Sequence, residues 1–140
     1  MNLIDTNIFV YAYDIHEINK REKCLGIVKS VFTGVEKAYI SNQILGELFY
    51  VLTQNMKKPL SAEMAEEVVI SIIESNNWLK IDYNHKTVMK AIAYTKRFKI
   101  PFWDALIVAT MIENNVFTIY TEDEKDFSGI PGLEVVNPLV

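Results

Sequence analysis

Between Pro101 and Asn114 the chain reads Phe102-Trp103-Asp104-Ala105-Leu106-Ile107-Val108-Ala109-Thr110-Met111-Ile112-Glu113. This segment predicts a helix that is apolar nearly all round, and such a helix must be central and covered on most sides. Its most apolar run, Ala105 to Ile112, is far shorter than the ~20 residues of a membrane span. Asn114-Asn115 ends the helix. Val116 to Thr121, β-branched and aromatic, then forms the best strand in the chain.

The rest of the chain repeats this alternation. Asn2 to Asp5 is a short strand, followed by a first helix from Ile8 to Tyr13. A second helix runs from Ile18 to Phe32, with Gly34 as its stop signal. Ala38 to Ser41 is a strand. Ser41 or Asn42 caps a helix whose stripe is Ile44, Leu45, Leu48, Phe49, Val51 and Leu52. Pro59 forbids its continuation, and Ser61 caps Ala62 to Ser75. Trp78 to Ile81 is a short strand, Asn84 caps a helix from His85 to Phe98, and Glu134 to Val136 is a last strand. About five short strands separated by helices predict an α/β fold, its mostly parallel central sheet flanked by helices on both faces. No repeat or linker interrupts residues 1–140, so a single domain is expected.

Half of the residues are apolar, which fills a core and excludes global disorder. The 14 Lys and Arg against 18 Asp and Glu leave a net charge of −4, which argues against a simple basic nucleic-acid coat. The one cysteine, Cys24, lies in an apolar stretch and reads as a small buried hydrophobe. Asp5 arrives before any apolar signal-peptide core could form. A cytoplasmic protein with no membrane partner is therefore expected.

Parallel sheets build their sites at the carboxyl ends of their strands. Asp5 ends the first strand and Asp123 follows the strongest one. Glu47 lies in the helix after the second strand, and Asp104 opens the apolar helix after Pro101. Each has a plain structural reading: Asp104 as an N-cap, Glu47 as a charge near a helix start, Asp123 as a turn residue. Asp5, flanked by core on both sides, is the hardest to explain that way. Like charges gathered in one place are costly unless a cation binds between them, and carboxylates with room for water suit Mg²⁺ or Mn²⁺.

Four segments together resemble the PIN domain, most closely the small ribonucleases of the VapC toxin type. They are Leu3-Ile4-Asp5-Thr6-Asn7-Ile8-Phe9, Ser41 to Leu48 with its acid at Glu47, Ile100 to Ala109 around Asp104, and Thr121 to Phe127. The ending Gly132 to Pro138 also resembles the family's. The resemblance covers nearly the whole chain and implies a Rossmann-like fold. It implies an acidic cluster of Asp5, Glu47, Asp104 and Asp123 that holds one or two Mg²⁺ or Mn²⁺ ions and cleaves RNA. Asp126 or Glu122 could share or replace the fourth position. Thr6, Asn7 and Thr121 match polar positions that hold the carboxylates or metal water.

The resemblance further implies a cognate antitoxin and a homodimer. Phe49, Tyr50 and Ile70 are candidates for the exposed apolar contacts. Lys96, Arg97 and Lys99 precede the Pro101–Asp104 segment and are candidates for RNA phosphates; a solvated helix face explains them equally well. Competing readings are an inactive PIN scaffold that only docks RNA or protein, and a PIN nuclease of RNA processing. An aspartyl-phosphate enzyme using Asp5 is disfavoured, because Asn7 stands where a second acid would be needed. Setting Asp5, Glu47, Asp104 and Asp123 aside leaves acids and bases equal, so the whole negative excess matches the proposed cluster.

Overall fold

Asn2–Ile4 (β1) contributes only three residues, yet it is the middle of the sheet. Leu3 and Ile4 are buried, as suits a strand covered on both faces. The computed structural model describes residues 1–140. Chain order continues with Thr6–Tyr13 (α1), Ile18–Phe32 (α2), Ala38–Ser41 (β2), Asn42–Gln54 (α3), Ala62–Glu74 (α4), Trp78–Ile81 (β3), His85–Phe98 (α5), Phe102–Glu113 (α6), Thr118–Tyr120 (β4), Glu124–Phe127 (α7) and Glu134–Val136 (β5). The sheet order is β3-β2-β1-β4-β5, with every pairing parallel.

The chain therefore builds outward from β1 to β3, then returns to the other side of β1 for β4. That reversal places a crevice between the carboxyl ends of β1 and β4, where open α/β sheets bind ligands. The register is Leu3 beside Ile119 and Ile4 beside Tyr120. The Asp5 N–H then donates to the Tyr120 carbonyl at 3.0 Å, so the residues after both strands stay together.

Helix ends follow their capping chemistry. Ser41 and Ser61 accept from Ile44 and Met64 N–H, and Asn84 forms a reciprocal capping box with Thr87. Gly34, just past α2, has φ +80°, a turn conformation that glycine adopts without steric cost. Every residue of α6 from Ala105 to Met111 is buried, so the helix that is apolar all round does occupy the core. Trp78 fills the space between Phe9 and Phe32, with ring centroids at 4.9 and 5.6 Å. No helix is long and apolar enough to cross a membrane.

Four elements differ from the expected bounds. The β1 strand stops at Ile4, not Asp5, and α4 at Glu74, not Ser75. The first helix starts at Thr6, not Ile8, because the Asp5 carboxylate caps it by accepting from the Thr6 N–H at 2.7 Å. The fourth strand is Thr118–Tyr120, shorter than 116–121. The Val116 N–H is taken by the Met111 carbonyl in the turn leaving α6.

Candidate active site

The short β1 strand puts the Asp5 carboxylate at its carboxyl end, where the side chain is buried. One oxygen, Oδ1, accepts from the Thr6 N–H; the other, Oδ2, accepts from the Thr121 hydroxyl at 2.8 Å. Thr121 Oγ1 in turn accepts from Asn7 Nδ2 at 3.2 Å and from the Asp123 N–H at 3.0 Å. Asn7 also donates to Asp123 Oδ2 at 3.2 Å and accepts from the Glu122 N–H at 3.2 Å. The start of α1 and the turn after β4 are thereby joined through both side chain and backbone.

Glu47 comes from the second turn of α3. Its Oε2 accepts from Thr6 Oγ1 at 2.9 Å and its Oε1 from Gln43 Nε2 at 2.8 Å. Gln43 Nε2 also donates to the Trp103 carbonyl at 3.0 Å, which ties α3 to the start of α6. Asp104 lies in the first turn of α6 and makes no cap, since the N-cap is Pro101. Asp5, Glu47, Asp104 and Asp123 line one open cleft of about 430 Å³, with Thr6, Asn7, Gly46, Tyr50 and Val51.

The electrostatics report crowding. Burial pushes the Asp5 carboxyl up to about 6, against the lowering effect of its bonds from Thr121 and Thr6, with Glu47 and Asp123 adding like charge. Asp104 is pushed up to about 7 by burial, by a hydrogen bond shared with Asp126, and by the charge of Asp5. Burial and the charges of Asp126 and Glu122 raise Asp123, while its bond from Asn7 opposes them. No three acidic, imidazole or thiol groups converge tightly enough to enclose a bare ion. A cation that keeps most of its own water needs only one or two carboxylates directly. The set therefore fits a hydrated Mg²⁺ or Mn²⁺: hard oxygen donors, surplus negative charge and an open cleft.

The acids around the fourth position separate clearly. Asp123 lines the cleft, whereas Asp126 meets Asp104 without lining it. Glu122 turns away to Lys20 Nζ at 2.8 Å and to the Tyr11 hydroxyl. Burial would raise Glu122, but those two bonds outweigh it and hold the carboxyl below its ordinary range. Glu122 is therefore engaged elsewhere. Lys96, Arg97 and Lys99 are exposed, and no basic residue lines the cleft. Phe49 and Ile70 border an apolar groove with Leu45 and Val69, while Tyr50 lines the acidic cleft. Gln43 escaped sequence reasoning; its position four residues before Glu47 on one helix face was the available signal. Cys24 is buried, and burial pushes its thiol up to about 11, far from a reactive thiolate.

The fold and this cleft define a PIN domain: the family model matches residues 3–133, and the chain belongs to that family. Among solved structures, VapBC2 from Rickettsia felis, bound to a DNA fragment from their promoter, is 23% identical with a TM-score of 0.68, covering 97% of both chains. A toxin-antitoxin complex from Klebsiella pneumoniae is 20% identical with a TM-score of 0.67, covering 99% of this chain and 98% of its own. Mycobacterium tuberculosis VapC20, a toxin that cleaves the sarcin-ricin loop, is 17% identical with a TM-score of 0.66, covering 91% and 93%. Comparison with curated protein sequences returned no match.

Proposed function

We propose that this PIN domain is a metal-dependent endoribonuclease and the toxin of a toxin–antitoxin pair. The observation that carries this reading is the lining of one cleft by Asp5, Glu47, Asp104 and Asp123 at the carboxyl ends of parallel strands. The similar VapC20 toxin and the toxin–antitoxin complexes support the substrate class and the partner. Asp5, Glu47 and Asp104 are the residues that would hold a first Mg²⁺ or Mn²⁺, one or two of them directly and the rest through its water, with Asp123 toward a second. Such an ion lowers the pKa of bound water and neutralises phosphate charge.

The chain's own residues do the positioning. Thr121 and the Thr6 N–H orient Asp5, Thr6 and Gln43 orient Glu47, and Asn7 orients Asp123. These bonds leave the carboxylates little freedom to collapse onto one another or to swing out of the cleft. Phe49 and Ile70 on the α3 and α4 surface are the proposed homodimer contacts, and the location is cytoplasmic. The test is cleavage of a mixed RNA by purified protein with Mg²⁺ or Mn²⁺. Fragments should form with wild type and disappear with Asp5→Asn and with chelator; equal cleavage by Asp5→Asn would remove the assignment.

A further inference from the structure

Trp103 and Tyr50 are large aromatic residues left open to solvent, with 60% and 58% of their surface exposed. The other tryptophan, Trp78, is 1% exposed and belongs to the core. Trp103 sits in the first turn of α6, immediately before Asp104. Its carbonyl accepts from Gln43, the side chain that also holds Glu47, and its ring is braced edge-on by Phe102 at 5.1 Å. Tyr50 lines the acidic cleft itself. Gln43, Glu47 and Tyr50 occupy i, i+4 and i+7 on one face of α3, a span of ~10 Å at the helical rise. Trp103 is thus moored at one end of that face and Tyr50 lies at the other, with Glu47 between them.

Resting on the nuclease reading, we infer that Trp103 and Tyr50 are stacking platforms for unpaired bases of single-stranded RNA on either side of the phosphate offered to the cleft. No Lys or Arg lines the cleft, so its walls supply no cationic grip on the strand. Base–aromatic stacking gives affinity without cationic side chains and tolerates any base; it corresponds to roughly 5- to 150-fold in binding per base. The occupant is RNA and not a protein surface because both residues are placed against the acidic cluster: Trp103 by its backbone carbonyl on Gln43 and by its neighbour Asp104, Tyr50 by lining the cleft.

The experiment has two readouts on the full chain with Mg²⁺ present. In Asp5→Asn protein, indole emission is followed while a short single-stranded oligoribonucleotide is added; Trp78 is buried, so Trp103 dominates the response. In otherwise wild-type protein, steady-state cleavage is measured for Trp103→Ala, Trp103→Phe and Tyr50→Ala. RNA-dependent quenching is expected, with KM raised about 10-fold in each Ala variant, kcat within about 3-fold of wild type, and most of the loss recovered in Trp103→Phe. Unchanged emission together with unchanged KM overturns the platforms. So does emission that responds to the protein's own concentration and not to RNA, which assigns the aromatics to a second copy. Quenching is read independently of cleavage, so absent cleavage counts against the nuclease reading and absent quenching against the platforms.

Discussion

The Thr121 hydroxyl donates to Asp5 Oδ2 at 2.8 Å across 116 residues of chain. The same oxygen accepts from Asn7 and from the Asp123 backbone, so one hydroxyl spans the gap between the β1 and β4 ends. Thr121→Val keeps the shape but removes the donor and both acceptor bonds. Equilibrium urea unfolding should report a loss of about 1–3 kcal/mol, the cost of leaving buried polar groups unsatisfied. Mn²⁺ affinity measured by calorimetry should fall by ~10–100-fold, with Thr121→Ser close to wild type.

Crowded carboxyls make the metal-free protein sensitive to pH. Asp5 and Asp104 have folded-state values of about 6 and about 7, above the ordinary 3.8. The folded state therefore binds these protons more tightly than the unfolded chain. Their contribution to stability is complete below about pH 4 and is lost as pH rises through about 6 and then about 7. Asp104→Asn abolishes one titration. In chelator, its melting temperature minus that of wild type should grow from about pH 4 to about pH 7 and level off above it; a constant difference would contradict the crowding.

Added metal should act in the opposite sense. Ligation requires the carboxylates to be deprotonated, so apparent Mn²⁺ affinity should rise as pH increases through about 6 to about 7. A saturating ion at ~100 times its dissociation constant stabilises the fold by about 2.7 kcal/mol. Thermal melts with and without Mn²⁺ should therefore diverge with rising pH. Chelation should return both the melting temperature and RNA cleavage to the metal-free values.

The acids of the β4–α7 turn should separate in a mutant series. Asp123→Asn touches the cleft and should reduce cleavage by at least ~10-fold, as outer-shell or ligand changes do. Asp126→Asn removes a carboxylate facing Asp104, so the Asp104 carboxyl should titrate lower and the alkaline loss of metal-free stability should shrink. Glu122→Gln breaks a half-buried ion pair with Lys20, an interaction of about 1 kcal/mol or less, and should leave Mn²⁺ affinity unchanged. Equal losses for all three would mean that the turn acts only as a unit.

Much of the fold was legible because its signals are local. The caps at Ser41, Ser61 and Asn84, the breaks at Pro59 and Pro101, and the all-round apolar α6 each depend on neighbours within a few residues. The parallel sheet followed from their alternation. The four acids could be named from their places after strands or early in helices, and the cleft contains all four. The start of α1 was missed because Asp5 is both the end of a strand and the cap of a helix, and periodicity cannot see a single residue with two duties.

By itself, then, the sequence determined the order of elements, the buried helix and which carboxylates stand at strand ends, since spacing and capping chemistry are carried by the chain locally. Tertiary structure alone decided which of the clustered acids lines the cleft. Glu122, Asp123 and Asp126 lie within five residues, yet Lys20 and Tyr11 draw the first away, the cleft takes the second and Asp104 meets the third. It also decided that Gln43 and Thr121 hold the carboxylates and that Tyr50 faces the cleft. Side-chain direction in a turn is set by partners brought close only when β1 and β4 pair, and those partners lie up to 116 residues apart in sequence.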